Sequence, residues 1–144
     1  MTVYLADSSI WAWAGKGTRP DIQAKLASRY EAGEVATCAP VILEAMHGPR
    51  TSAEYRERFE TIFAPLRRLP LDDSAAERAL DVQLKLSART DGNHRRPAID
   101  FLIAAIAEAA GPEVALWCFD RDLEVICEHT GQPIEAETFG DRTE

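Results

Sequence analysis

The sequence predicts an α/β protein in which a mainly parallel sheet of about five strands lies between layers of helices. Short apolar runs with the composition of strands alternate along the chain with longer segments of helical spacing. The run 114–119 is continuously apolar, as is typical of a central parallel strand that is covered on both faces. No internal repeat interrupts the alternation. We therefore expect a single domain over residues 1–139 and a frayed, charged tail at residues 140–144.

The first strand and the first two helices are predicted near the N-terminus. Residues 3–6 form a short apolar run, and Asp7 opens a polar capping segment before a helix that begins near Ile10. A second helix is expected over residues 20–32, because apolar side chains recur there at helical spacing and Gly33 follows. Asp7 is thereby placed at the carboxyl end of the first strand.

The next unit begins with a short strand at residues 35–37. Pro40 then opens an apolar helix that ends before a Gly-Pro pair, and Glu44 is the only charged residue inside it. A polar helix with one apolar face is expected over residues 51–64. Residues 66–71 follow as a third, partly exposed strand.

The second half of the chain continues the alternation. Ser74 begins a capping-box pattern that predicts a helix over residues 75–87, and Pro97 opens a strongly apolar helix over residues 98–110. The polar loop between these helices carries the best basic cluster of the chain, His94, Arg95 and Arg96. We interpret Arg56 and Arg58 as ordinary helix surface, and His47 as a structural residue near a helix C-terminus.

The last strands complete the predicted sheet. The apolar run 114–119 ends at Asp120, a helix is expected from there to His129, and a final strand is expected near Ile134. Ligands of open parallel sheets bind beyond the carboxyl ends of the strands. Asp7 and Asp120 are therefore expected at the same edge of the sheet.

The overall charge restricts how this chain could approach nucleic acid. The formal net charge of its 144 residues is −8, so the surface as a whole should repel a polyanion. Binding of RNA would require a local basic patch together with a metal ion. The loop residues His94, Arg95 and Arg96 could contact RNA phosphate, or they could form a merely solvated loop.

The cysteines and the hydropathy pattern bear on the compartment. Cys38, Cys118 and Cys127 match no paired zinc spacing, and an odd number of thiols fits a reduced, cytoplasmic setting. The N-terminus lacks the basic segment and apolar core of a signal peptide. The longest later apolar run is too short to cross a bilayer, so no membrane association is expected.

Two further acids occur in apolar helices, where they need compensation. Asp100 lies in the first turns of one helix and Glu44 interrupts another, so we expect both to be buried or half-buried. A buried carboxylate without a partner costs several kcal/mol. No lysine or arginine lies within four residues of Glu44, and Arg95 and Arg96 can face solvent before the Asp100 helix. A bound cation is therefore the favoured compensation.

The type of ligand indicates which cation. Carboxylate oxygens without a set of histidines or cysteines favour Mg²⁺ or Mn²⁺ over zinc. Such a site can activate water and stabilise the charge of an in-line phosphodiester displacement. Each acid also has a simpler interpretation: Asp7 and Asp120 could be helix N-caps, and Asp100 and Asp122 could be first-turn acids favoured by the helix dipole. Glu44 is harder to explain in this way, although one exposed face of its helix could carry it.

The segments around these acids resemble the four sequence blocks of PIN-domain ribonucleases, in the same order. They read YLADSSIW at residues 4–11, VILEAMHG at 41–48, IDFLIAA at 99–105 and FDRDL at 119–123. The resemblance is greatest to the VapC toxins of bacterial toxin–antitoxin pairs, and it covers almost the whole chain.

This resemblance implies an α/β/α fold, Mg²⁺-dependent endoribonuclease activity and a homodimer. It also implies inhibition by a VapB antitoxin, a segment of which wraps the toxin and blocks the acidic site. Asp7 and Asp100 match the principal metal ligands, and Glu44 and Asp120 complete the catalytic set. Asp122 matches a second, variably involved acid, and Ser9 occupies a position that often supports the first aspartate.

Two other functions remain open from the sequence. An aspartyl-phosphate phosphatase also uses an aspartate after the first strand, although it normally needs a second aspartate where Ser9 stands. Alternatively, the acids could serve a non-catalytic module that captures the arginines of a basic partner segment.

Overall fold

The computed structural model describes residues 1–89 and 96–138. Its five strands are β1 (Val3–Ala6), β2 (Val35–Cys38), β3 (Arg67–Leu69), β4 (Val114–Cys118) and β5 (Ile134–Ala136). Its helices are α1 (Ser8–Lys16), α2 (Pro20–Glu31), α3 (Ala39–Ala45), α4 (Ser52–Arg58), α5 (Asp73–Arg89), α6 (Ala98–Ala109) and α7 (Arg121–Thr130). The predicted basic residues His94 and Arg95, and the predicted tail 140–144, lie outside the described residues.

The strands form one sheet in the order β3-β2-β1-β4-β5. Every neighbouring pair is parallel, which confirms the α/β prediction and goes beyond the mainly parallel sheet expected. The chain moves from β1 outward to β2 and β3, and then returns to the other side of β1 with β4. The strand order therefore reverses between β1 and β4, and a crevice opens at the carboxyl ends of strands at such a point.

Helices cover both faces of the sheet. Ile10 of α1 and Ile22 of α2 pack with Trp117 on one face. The larger core on the other face is formed by α5, α6 and α7 against the apolar strand residues. The apolar composition of α6 follows from this position, since most of its residues are buried. The α/β/α sandwich predicted by the sequence is thus confirmed.

The segment predicted as one helix over residues 51–64 differs in detail. The α-helix ends at Arg58 and continues as a π-helical turn over Phe59–Phe63. The amide of Ala64 donates to the carbonyl of Phe59 at 2.8 Å, which is the wider hydrogen-bond spacing of that conformation. The turn buries Phe63 against Ile42 and Met46 of the α3 region.

The described residues contain no helix with both the length and the apolarity needed to span a bilayer. The three cysteines are buried and unpaired. Burial raises the pKa of the Cys38 and Cys127 thiols to about 12, so both stay protonated at neutral pH. We assign these thiols to the core.

Candidate metal centre

The first two acids are delivered by neighbouring central strands. The amide of Asp7, directly after β1, donates to the carbonyl of Trp117 in β4 at 2.9 Å, and Asp120 follows β4. Asp7 is the N-cap of α1, where its Oδ2 accepts from the Ser9 amide at 3.2 Å. Asp120 is the N-cap of α7, where its Oδ1 accepts from the Asp122 amide at 2.8 Å. The capping interpretation is correct for both.

Capping leaves part of each carboxylate available. The Oδ1 atom of Asp7 is buried and has no hydrogen-bond partner in the described part of the chain. Asp100 lies in the first turn of α6 and is 3% exposed, and its Oδ2 is likewise buried without a partner there. Buried oxygens that lack a donor are uncommon in folded proteins and point to an ion or water.

Three carboxylates converge closely enough to share one cation. Oxygen atoms of Asp100, Asp120 and Asp122 lie within 4.8 Å of one another. Asp7 is outside this group of three, but its charge acts on Asp100. The N-termini of α1, α6 and α7 lie at the crevice and favour negative charge, and they only partly offset the mutual repulsion of the acids.

The pKa values of the buried acids reflect this repulsion. Burial is the main cause that raises the pKa of Asp7, and the hydrogen bonds from Ser9 oppose it. The pKa of Asp100 rises to about 8, first because of burial and then because of the charges of Asp120 and Asp7. A divalent cation would favour the ionised forms and would therefore oppose both increases in pKa.

Glu44 is placed differently from the prediction. We expected it to be buried or half-buried, but the residue is exposed, because α3 buries the stripe formed by Pro40, Val41 and Ile42. Its Oε1 accepts a hydrogen bond from Ser8 Oγ at 2.8 Å. Glu44 nevertheless lines the same cleft as Asp7, and its charge contributes to the raised pKa of Asp7.

Arg96 also departs from the expectation that it faces solvent. Its Nη1 lies 3.3 Å from Asp122 Oδ1, and its side chain is 23% exposed. One basic residue of this chain therefore does compensate one of the acids, a possibility that the sequence argument had set aside. The pairing reaches Asp122 and leaves the unpartnered oxygens of Asp7 and Asp100 as they are.

The acids open into a cleft of about 1210 Å³. Asp7, Glu44, Asp100 and Asp120 line it, together with apolar residues that include Trp11, Ile62 and Phe63. His47, Gly48 and Arg58 form another part of the wall. From the sequence we expected a structural role for His47 and a surface position for Arg58. Their place in the cleft depends on how the α3–α4 connection folds, which local sequence does not show.

Chains of known structure share this fold. A chain of DNA-bound VapBC from Salmonella typhimurium is 18% identical, with a TM-score of 0.71, over 94% of this chain and 98% of that one. A chain of VapBC2 from Rickettsia felis, bound to a DNA fragment from its promoter, is 14% identical, with a TM-score of 0.72, over 95% and 100%. A chain of FitAcB from Neisseria gonorrhoeae is 20% identical, with a TM-score of 0.67, over 92% and 96%.

Identities below 25% establish a common fold and no more. No curated protein matches the sequence significantly. The sequence profile of the PIN domain, however, matches residues 4–128, which include Asp7, Glu44, Asp100 and Asp120. Because this match spans most of the chain and agrees with the observed fold, the chain belongs to the PIN domain family.

Proposed function

We propose that this chain is a VapC-like toxin, an Mg²⁺-dependent endoribonuclease whose single catalytic domain spans residues 1–139. The observation that carries the proposal is the pair of buried, unpartnered oxygens, Asp7 Oδ1 and Asp100 Oδ2, in a crevice lined by further carboxylates. These two oxygens do not stabilise the folded protein, because each buried polar atom without a hydrogen bond lowers the free energy of unfolding.

The donor set fits a hard divalent cation. Asp7 and Asp100 would hold Mg²⁺, and Asp120 and Asp122 extend the all-oxygen set to which Mn²⁺ could also bind. The cation supplies Lewis-acid chemistry: it activates water for attack on a phosphodiester and neutralises charge on the phosphate.

The remaining residues position the acids and the substrate. Ser9 Oγ donates to Asp7 Oδ2 at 2.7 Å, so it fixes the carboxylate that caps α1. Glu44, exposed in the cleft, can orient a water molecule or a second ion. Arg96 can exchange its contact with Asp122 for an RNA phosphate, and His94 and Arg95 belong to the same proposed RNA contact.

The proposed partners follow from the fold and from the charge of the cleft. Several chains of similar fold come from VapBC or FitAB structures, and we propose a VapB-type antitoxin for this chain also. A basic side chain of the antitoxin could bind the acids as Arg96 binds Asp122. We further propose that the toxin acts in the cytoplasm, where its three thiols would stay reduced.

A homodimer would cover an apolar face of α5. Leu80 and Leu84, one turn apart, are 60% and 71% exposed. The helix begins with acidic Asp73 and ends with basic Arg89, so two antiparallel copies would place opposite charges together. Light scattering should give a dimeric mass that Leu84→Glu reduces to that of the monomer. A monomeric mass for the unaltered protein would reject the homodimer.

The pairing of Arg96 with Asp122 favours one alternative, the non-catalytic module that binds a basic segment. The two functions differ in metal affinity. Calorimetry should detect Mn²⁺ binding that Asp100→Asn removes. Tight binding of an antitoxin by a protein with no metal affinity would instead support the binding module.

The proposed activity is tested by cleavage of RNA with Mg²⁺. Asp7→Asn and Asp100→Asn should each lower the rate at least about 100-fold, because even residues that only support metal ligands contribute 10- to 100-fold. EDTA should abolish cleavage. Asp21→Asn is the matched control, since Asp21 also lies in the first turn of a helix but is exposed and outside the cleft lining. Equal cleavage by all four proteins would overturn the proposal.

A further inference from the structure

Arg58 lies at a junction that turns its side chain into the cleft. It is the last residue of α4, and the π-helical turn begins at the next residue. The turn buries Phe63 against α3, and Arg58 and Ile62 line the cleft that contains the acids. A π-helical turn often marks a functional position, because the wider turn redirects the side chains around it.

The cleft accommodates this side chain at Gly48. A Cβ atom added to Gly48 would lie 3.2 Å from Arg58 Nη1, which is closer than ordinary van der Waals contact. The φ angle of Gly48 is outside the left-handed region, so the backbone there does not require glycine. Space for the guanidinium is the remaining local reason for the small residue.

The guanidinium of Arg58 is available for a ligand. Within residues 1–89 and 96–138, Arg58 forms no ion pair or hydrogen bond. By contrast, Arg19, Arg29, Arg78 and Arg96 each pair with a carboxylate. Glu44 lines the same cleft, but its carboxylate is bound by Ser8.

The surrounding segment is basic although the protein is acidic. Residues 47–68 contain five arginines and three glutamates, whereas the whole chain has a net charge of −8. His47 lies next to Gly48 and lines the cleft as well. Among the described residues that line the cleft, Arg58 is the one lysine or arginine, so it places a positive charge beside the acidic centre, as a polyanionic strand needs in order to approach.

We infer that Arg58, with His47 beside it, binds a phosphodiester of the RNA strand next to the one that is cleaved. This inference rests on the proposed ribonuclease function and adds the direction in which the strand leaves the acids, across Gly48 toward α4. The planar guanidinium suits two non-bridging phosphate oxygens, and no base needs to be recognised at this subsite.

The inference is tested by RNA binding to protein that cannot cleave. In an Asp7→Asn background with Mg²⁺, the anisotropy of a fluorescent, mixed-sequence single-stranded RNA reports the affinity. Arg58→Ala should weaken binding about 10-fold and lower the slope of log affinity against log salt by about 0.7, the value for one phosphate contact on a single strand. Arg56→Ala is the matched control, from the same exposed helix but outside the cleft lining, and should change affinity less than about 2-fold.

A second variant separates the position of the guanidinium from its charge. Gly48→Val should displace Arg58 and weaken binding in the Asp7→Asn background, but should add little to the loss already caused by Arg58→Ala. Full additivity of the two changes would contradict a role of Gly48 in placing Arg58.

Failure of this inference can be distinguished from failure of the ribonuclease function. If the protein with Asp7 intact cleaves RNA, and Arg58→Ala and Arg56→Ala bind and cleave it equally well, the phosphate subsite is rejected and the nuclease stands. If that protein neither binds nor cleaves RNA, both proposals are rejected. Retained cleavage with a raised KM in Arg58→Ala would support a binding role.

Discussion

Two groups of carboxylates in this molecule differ in how their negative charge is compensated. The acidic site consists of Asp7 and Asp120, which follow β1 and β4, with Asp100 of α6 and Asp122 of α7. The second group, which we call the β5 charge cluster, consists of Glu135 and Glu137 with Lys25 and Arg29 of α2. Both groups are at least half-buried. They differ in how far the chain supplies the cations: Glu135 and Glu137 each pair with a basic side chain, whereas in the acidic site only Asp122 does so among the described residues.

The β5 charge cluster is neutralised internally. Arg29 Nη1 lies 2.8 Å from Glu135 Oε2, and Lys25 Nζ lies 2.8 Å from Glu137 Oε2. The Arg29 guanidinium also stacks on Tyr4 and Trp117, at 3.7 and 4.5 Å from their ring centroids. The hydrogen bond from Arg29 is the main cause that lowers the pKa of Glu135. This cluster joins α2 to the edge of the sheet.

The acidic site has the reverse pattern. Its buried aspartates, Asp7 and Asp100, have raised pKa values, and neither forms an ion pair within the described residues. Glu135 Oε2 also lacks a hydrogen bond of good geometry, but it lies 2.8 Å from the Arg29 guanidinium. The same fold can pair its acids with its own bases, as the β5 charge cluster shows, so acids left without partners are not an unavoidable result of packing. Destabilising arrangements such as unpaired buried carboxylates occur mainly at functional sites, where a protein is less stable but able to bind a ligand.

The largest expected effect is the loss of stability when the β5 charge cluster is broken. Arg29→Ala should lower the free energy of unfolding by about 3 kcal/mol, because it leaves Glu135 unpaired and removes the stacking on Tyr4 and Trp117. Urea denaturation measures the change. Arg78→Ala, which removes a more exposed guanidinium from its pairs with Glu108 and Asp81, should change it by less than about 1 kcal/mol. Equal losses in the two variants would show that the β5 charge cluster contributes no more to stability than the pair at Arg78.

The acidic site should respond to pH in the opposite sense to a paired carboxylate. The pKa of Asp100 is raised to about 8 in the folded state, so the folded protein binds more protons than the unfolded chain between about pH 4 and 8. Without metal, stability should therefore fall as the pH rises through this range. The full loss of stability is reached above the folded-state pKa of Asp100, where its carboxylate is ionised in both states.

Asp100→Asn tests directly whether the buried carboxylate of Asp100 causes this pH dependence. In EDTA at pH 9 the variant should be more stable than the unaltered protein by at least about 1 kcal/mol, because it removes a buried charge. At pH 4 the two proteins should be nearly equal, since Asp100 is then protonated. Thermal melts at both pH values measure the difference. Destabilisation by Asp100→Asn at pH 9 would show that the carboxylate is satisfied within the chain.

The sequence was sufficient to predict the fold and the edge of the sheet that carries the site. The order of apolar runs predicted the strands, Asp7 directly follows β1 and Asp120 lies two residues after β4, so local sequence determined where they lie. Burial of Asp100 also followed from its apolar helix.

Other features depended on contacts that no local pattern encodes. The exposure of Glu44 is set by which stripe of α3 packs against the core, and the pairing of Arg96 joins it to Asp122 across the fold. The ion pairs of the β5 charge cluster connect residues more than 100 positions apart. Arg58 lines the cleft directly before a π-helical turn, and the periodicity of residues 51–64 does not reveal that turn.

The smallest predicted effect concerns Ser9, which joins the two strands that carry the acids. Its Oγ donates to Asp7 Oδ2 at 2.7 Å and accepts from the Phe119 amide at 2.9 Å. Ser9→Ala should lower the free energy of unfolding by about 1 kcal/mol and the proposed cleavage rate about 10-fold, since Asp7 would lose its lateral support. Its backbone amide would still donate to Asp7 Oδ2, so Asp7 would still cap α1 and the fold should persist. Ser9→Thr, which keeps the hydroxyl, should recover most of the rate. If Ser9→Ala reduces stability but leaves both the rate and the Mn²⁺ affinity unchanged, Ser9 only links the segments after β1 and β4. The geometry of Asp7 then does not depend on Ser9.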